Sequence, residues 1–220
     1  MATDFLLLQR YPDSGDARFR HYGWRAPSFT FGYSQKIAAV RGQLPQGETT
    51  DLCRRPTGGG VVDHRDDWTY ALVIPRGHPL EELRATNSYR AVHEALAEAF
   101  RAQGVPAITK TAPPDPDEEN PGVCFQRAEI YDVVHEATGA KIAGAAQKRN
   151  KHGLLFQGSI WRPAAGSAHL DWDAFLDAFV SRLSSSLAIE AEASPWPEFN
   201  EDEMMALVEQ YSAPEWNALR

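Results

Sequence analysis

Three consecutive glycines, Gly58-Gly59-Gly60, follow Arg54-Arg55-Pro56-Thr57 and precede Val61-Val62-Asp63-His64. Glycine loses more backbone freedom on folding than any other residue. A run of three is therefore kept where the chain needs unusual dihedrals or where something must approach the backbone closely. The two arginines add fixed charge and forked donors beside that bare backbone. The β-branched residues that follow read as a strand. The run reads as a loop at a sheet edge that receives an acyl or phosphate-bearing group; the alternative is a flexible turn flanked by surface charge.

The rest of the composition narrows the setting. With 220 residues, 43% of them hydrophobic, the chain can bury a sizeable core as one domain. No apolar run approaches the roughly 18 residues of a membrane span. Met1 to Gln9 lacks a basic start and carries Asp4, so it does not read as a signal peptide. Two cysteines, Cys53 and Cys124, in a chain without export signals are expected to be free thiols in the cytoplasm. A net charge of −8 argues against nucleic-acid binding and requires a local basic patch for any acidic partner. The histidines and cysteines lack the spacing of a metal site.

Element signals do not alternate regularly, which predicts an α+β fold: a sheet with helices packed on it. Helix is expected at Met1 to Gln9, at Gln35 to Arg41, from Asn87 or Ser88 to Gln103, from Asp171 to Leu183 and from about Glu201 to Tyr211. Strands are expected at Ser28 to Tyr33, Trp68 to Pro75, Ile130 to His135, Lys141 to Gln147 and Gly153 to Trp161. Lys148 to His152 reads as a polar turn, and Pro106 to Gly122, rich in Pro, Asp and Glu, as a long exposed loop.

Gly139 to Gln147 is a second segment of small residues, and small side chains on a strand leave a groove unfilled. Lys141 at its mouth reads either as a cation aimed at a bound carbonyl or as a solvated strand-end lysine. Arg54-Arg55-x-Thr57-Gly58-Gly59-Gly60-x-Val62-x-His64 resembles the signature of the lipoate–protein ligase and octanoyltransferase family. Gly139-x-Lys141-Ile142-Ala143-Gly144-x-Ala146-Gln147 resembles its second motif, and Tyr22-Gly23-Trp24 to Gln35 and Gly153 to Ile160 match in the same order. The resemblance implies a single catalytic domain over residues 1–220 of the class II aminoacyl-tRNA synthetase/biotin ligase-like kind. Such a domain has a mixed, largely antiparallel central sheet, helices packed on it and a smaller second sheet. It implies an acyl tunnel between the glycine loop and the Lys141 strand, with Arg54, Arg55, Thr57, Gly58, Gly59, Gly60, His64, Gly144 and Ala146 in the binding site and Lys141 on the acyl carbonyl. Against the family pattern, the chain begins at the matching helix rather than at a preceding strand. With Glu215-Trp216 near its end, the expectation is a catalytic domain without a C-terminal accessory domain.

Cys124, in Val123-Cys124-Phe125-Gln126 ahead of Tyr131-Asp132, resembles the branch that transfers octanoyl groups through a cysteine. A thiolate accepts an acyl group by thioester exchange and passes it to an amine. That chemistry favours a cation beside the thiol, which Lys141 would supply. A buried, inert thiol is the alternative. His64 reads as a brace for the glycine loop rather than a base, and Cys53 as inert. Trp24, Phe31 and Tyr70 either line the tunnel or pack the core. Lys148, Arg149 and Lys151 read as a docking patch for an acidic partner or as an ordinary solvated turn.

The resemblance thus implies octanoyl transfer, without a cofactor, from octanoyl acyl carrier protein to a lysine of a lipoyl domain. The acceptors would be 2-oxoacid dehydrogenase E2 subunits or the glycine cleavage H protein; no nucleic acid and no membrane takes part. Three alternatives stay open. One is a lipoate–protein ligase catalytic domain that uses ATP and Mg with a separate accessory subunit. The second is an amidotransferase between lipoyl proteins, and the third an acyl-binding relative without turnover.

Overall fold

The computed structural model describes residues 1–10, 15–45, 47, 49–114, 122–166 and 170–219. Two sheets and seven α-helices are seen among the described residues, and the larger sheet is built around the most apolar stretches. β5 (Asp67–Pro75) is buried along its whole length, and β9 (Gly153–Trp161) at every residue but the last. They pair antiparallel from Asp67↔Trp161 to Pro75↔Gly153. Strands buried on both faces read as continuous apolar runs, as these do. β1 (Arg18–Tyr22), β8 (Lys141–Asn150), β7 (Val133–His135) and β6 (Ala107–Thr109) complete a six-stranded antiparallel sheet in the order β1-β5-β9-β8-β7-β6.

One face of this sheet carries the main core. Trp68, Tyr70, Leu72 and Ile74 of β5 and Leu154, Phe156 and Ile160 of β9 pack against α4 (Ala85–Ala102) and α5 (Trp172–Leu187). On the other face α1 (Ala2–Arg10) sets Leu7 and Leu8 on Ala71, Val73 and Leu155. That helix covers only part of the face. Over the remainder sits the second sheet, in which β2 (Ser28–Phe31) pairs parallel with β3 (Asp51–Arg54) and antiparallel with β4 (Val61–Asp63). Phe29, Phe31 and Val61 of this sheet share a small core with Val40 of α2 (Ile37–Gly42). Four-residue α3 (Pro79–Glu82) precedes α4, and a 3-10 turn over Arg162–Ala165 follows β9. The C-terminal helices α6 (Glu201–Ser212) and α7 (Pro214–Asn217) lie against α1 and β3.

The expected architecture is present, with local corrections. Strand β6 lies inside the stretch expected to be a loop, because the edge of β7 offers Ala107, Ile108 and Thr109 a ladder that composition does not reveal. Residues 115–121 of that expected loop lie outside the described residues. Lys148 and Arg149 belong to β8 rather than to a turn. Pairing runs on to Asn150↔Gly153, so the hairpin closes in two residues, with Gly153 at φ 143°. Helix α4 starts at Ala85, not beyond Asn87. Ser88 is inside it, fully buried, and donates to the Ala85 carbonyl at 3.1 Å. Strand β7 begins only at Val133 because Tyr131 adopts a positive φ of 67°, which ends extended backbone ahead of it.

Candidate active site

Side chains alternate across a strand, so the face of β5, β9 and β8 opposite the core is set by every second residue. In-register pairing places Tyr22, Thr69, Ser159 and Gly144 in one row across four strands. Arg20, Ala71, Gln157 and Ala146 form the row beside it. The small members of these rows leave the floor of a groove. Its roof is the second sheet with the glycine loop: Thr30, Arg55, Gly59, Val62 and His64. Cys124, Phe125 and Lys141 also line it.

The glycine loop is packed backbone to backbone. A Cβ on Gly32 would fall inside the Gly59 carbonyl, and one on Gly60 inside the Gly122 carbonyl. Gly59 holds φ 92°, in the region glycine alone enters freely. Arg55 follows the last residue of β3 and folds back beneath this loop. It donates to the carbonyls of Gly58 and Gly60, each at 2.9 Å, and to Thr30 Oγ1 at 2.8 Å. Burial lowers its pKa from the ordinary arginine value. Cys124 is itself placed by the loop: its N–H donates to Val61 O at 2.8 Å, and its Sγ would lie 3.4 Å from a Cβ on Gly60. Arg55 and Lys141 are thus both cations of the groove that Cys124 lines.

A buried polar chain holds Arg55 from behind. Thr30 Oγ1 lies 2.7 Å from His64 Nε2, and His64 Nδ1 lies 2.7 Å from Asp67 Oδ2. The same carboxylate oxygen accepts from Thr69 at 2.7 Å and Ser159 at 2.5 Å. Trp24 stacks on the His64 ring with centroids 4.2 Å apart and donates to Thr69 Oγ1 at 2.8 Å. Both nitrogens of His64 are thus engaged. Thr57 pins the loop to the floor by donating to Gln157 Oε1 at 2.9 Å, while Gln157 Nε2 donates to the fully buried Asp4 at 2.8 Å.

Lys141 occupies a second socket. An extra β8 residue relative to β7, between the pairs Val133↔Ala143 and Val134↔Lys141, breaks the strand alternation. The Lys141 side chain consequently lies over Gly144, where a Cβ would be 2.8 Å from Lys141 Cε and 3.0 Å from Nζ. Its ammonium pairs with Asp132 Oδ2 at 2.7 Å and donates to Arg127 O at 3.4 Å. Asp132 accepts from Tyr89 Oη at 2.5 Å and from the Glu129 N–H at 2.7 Å. Tyr89 Oη in turn accepts the Ala145 N–H at 3.0 Å, so that amide near Gly144 is already engaged.

Several expected site residues go elsewhere. Arg54 turns away from the groove, and its guanidinium donates to the carbonyls of Tyr33, Gln35, Trp216 and Asn217. Lys148 and Arg149 point to opposite faces of β8, so they do not form one patch with Lys151. Lys148 donates to Pro56 O, whereas Arg149 donates to Glu81 O and Ser88 Oγ. Lys151 is exposed at the hairpin turn. Of the three aromatics, Trp24 lines the groove, Phe31 packs in the small core, and Tyr70 fills the space over Gly158 on the core side. Cys53 is half-buried, and burial pushes its thiol pKa up. Residues not singled out from the sequence are Thr30, Asp67, Ser159, Gln157 and Tyr89, which carry no motif signal of their own.

Residues 1–167 match the lipoyl protein ligase A/B catalytic domain. The octanoyltransferase LipM of Anoxybacillus flavithermus is 33% identical over 186 residues, which cover 81% of this chain and 64% of that protein. LipM of Bacillus anthracis is 32% identical over 207 residues, covering 88% of this chain and 72% of the relative. The chain thus spans from a little under two-thirds to just over two-thirds of the length of these relatives. In structure it is similar to protein Ta0514 of T. acidophilum with bound lipoic acid, with a TM-score of 0.77 at 21% identity over 100% of this chain and 92% of that one. It is also similar to a lipoate-protein ligase A bound with ATP, with a TM-score of 0.74 at 20% identity over 99% and 92% of the two chains. The two motifs, the sheet-over-sheet groove they build and the match over residues 1–167 agree: this chain belongs to the lipoyl protein ligase A/B catalytic domain family.

Proposed function

We propose that this protein is an octanoyltransferase of protein lipoylation that works through a thioester on Cys124. The observation that carries the reading is the placement of a free thiol against the Gly60 loop, in a groove that the buried Arg55 and Lys141 also line. The thiolate is the nucleophilic form of cysteine. In the first step the Cys124 thiolate attacks the carbonyl carbon of octanoyl acyl carrier protein. The new C–S bond forms, the carrier's C–S bond breaks, and the carrier thiolate takes up a proton. In the second step the neutral ε-amine of a lipoyl-domain lysine attacks. A C–N bond forms, the C–Sγ bond breaks with its electron pair going to Cys124, and the amine's proton passes to that departing thiolate.

The Lys141 ammonium is the group suited to stabilise the oxyanion of both tetrahedral intermediates. Small residues on the floor leave room for the alkyl chain. Neither step needs a nucleotide or a metal. The acceptors are lipoyl domains of 2-oxoacid dehydrogenase E2 subunits or the glycine cleavage H protein. The names of the octanoyltransferase relatives support this direction of chemistry.

Intact mass spectrometry after mixing the protein with octanoyl acyl carrier protein tests the reading. One octanoyl group is expected on Cys124, released by hydroxylamine and chased onto an added lipoyl domain. Cys124→Ser is expected to lose transfer by at least about a thousandfold. Transfer at the parental rate by that variant would exclude the covalent route.

A further inference from the structure

An enzyme that acylates lysines, on this reading, keeps a lysine of its own in the groove where its thioester forms. Lys141 lines that groove, and its amine would be an acceptor if it carried a free electron pair. The surroundings prevent this. Its side chain is 8% exposed and its ammonium sits 2.7 Å from Asp132, which is 1% exposed. The carboxylate is itself immobilised. Tyr89 donates to Oδ1 and the Glu129 N–H to Oδ2, and the Tyr89 hydroxyl is oriented by the Ala145 N–H that it accepts. Behind Asp132 the backbone is fixed as well: the Tyr131 carbonyl, in a left-handed conformation, lies 2.7 Å from Nδ1 of the fully buried His93. An ammonium paired to a buried carboxylate has no lone pair to attack with, yet it keeps the charge that polarises a carbonyl. Asp132 is the buried counter-charge of that ammonium.

We infer that Asp132, held by Tyr89, is a positioning residue that captures Lys141 as an ammonium, aiming it at the acyl carbonyl and barring it from becoming the acyl acceptor. This inference rests on the octanoyltransferase reading. With the capture lost, the neutral Lys141 amine attacks the Cys124 thioester. A C–N bond forms, the C–S bond breaks, and the amine proton goes to the departing thiolate, leaving an amide that no longer turns over.

The test compares parent, Asp132→Asn, Tyr89→Phe and each of these in a Lys141→Ala background, with circular dichroism as the folding control. Asp132→Asn is expected to slow octanoyl transfer at least tenfold with KM within twofold of the parent. It is also expected to accumulate a hydroxylamine-stable octanoyl group, mapped to Lys141 by peptide mass spectrometry. Tyr89→Phe, the milder change, is expected to slow transfer severalfold. In the Lys141→Ala background neither change should slow the residual rate by more than twofold, because a residue acting through Lys141 has nothing left to act on. Equal fold losses in both backgrounds, or parental rates in Asp132→Asn, would overturn the inference. An Asp132→Asn protein holding only hydroxylamine-labile octanoate would overturn the barring role. A parent that acylates Cys124 normally while the cycle fails sinks this inference alone; a parent that never carries octanoate sinks the octanoyltransferase reading, and this inference with it.

Discussion

Glycine serves two opposite purposes around the groove, and substitution separates them. At Gly32 an added methyl would enter the carbonyl of Gly59, a backbone atom with no room to retreat. Gly32→Ala is expected to cost about 2–3 kcal/mol, the range for overpacking, measured by urea unfolding. At Gly144 the methyl would meet the Lys141 Cε and Nζ, the far end of a flexible side chain, as well as Asp132 Oδ1. Gly144→Ala is expected to cost only about 1 kcal/mol in stability but to lower transfer by roughly tenfold or more, since a displaced Lys141 no longer points at the carbonyl. Equal stability losses at the two sites would contradict this account.

His93 sets a pH limit. Burial pushes its pKa down to about 4, against 6.5 in an unfolded chain, so below pH 6.5 the unfolded state binds the extra proton first. Stability from this residue is therefore full above pH 6.5 and falls as pH drops toward 4, by up to about 3 kcal/mol. Denaturation series at pH 7 and pH 4.5 should show the loss in the parent and a smaller one in His93→Gln. The glycine run and Cys124 were readable because their chemistry is local. The parting of the two arginines was not: Arg54 and Arg55 are neighbours in sequence, but successive residues leaving a strand point to opposite sides, which sends one to the C-terminal helix and the other to the groove.

Among the elements, the long ones announced themselves. The burial of β5 and β9 follows from their apolar runs, and α5 and α6 lie close to where helical periodicity puts them. Short edge strands went unread: β1 and β6, of five and three residues at the two ends of the larger sheet, owe their form to a neighbour's free hydrogen bonds. The small helix α7 is fastened in a similar way from outside. Four carbonyls accept from the Arg54 guanidinium, two of them from α7, while Trp216 Nε1 donates back to Arg54 O at 2.8 Å and Asn217 Oδ1 accepts the Arg54 N–H at 2.7 Å. Arg54→Met would leave these buried acceptors unpaired, at about 3 kcal/mol or more. Hydrogen exchange should then show α7 opening well before the central sheet; unchanged protection of α7 would refute the clamp.

For the molecule as a whole, the family resemblance carried the architecture, and physical reading of the residues alone stopped at a sheet with helices on it. The missing link is long-range. No local pattern states that Thr30, Arg55 and His64 of one sheet will roof Ser159, Gly144 and Ala146 of another. The polar chain from Arg55 to Asp67 is likewise invisible in one dimension, because it joins four segments that meet only when the two sheets close on each other.

The floor row Gly144–Ser159–Thr69–Tyr22 runs at right angles to the strands. A chain lying along it is measured by the hydrogen-bond spacing of the sheet and not by any one side chain. Each strand crossed is about 4.8 Å, or roughly four methylenes of an extended alkyl chain. On the octanoyltransferase reading the sheet is then a ruler with a fixed graduation, and mutation moves the end mark but not the scale.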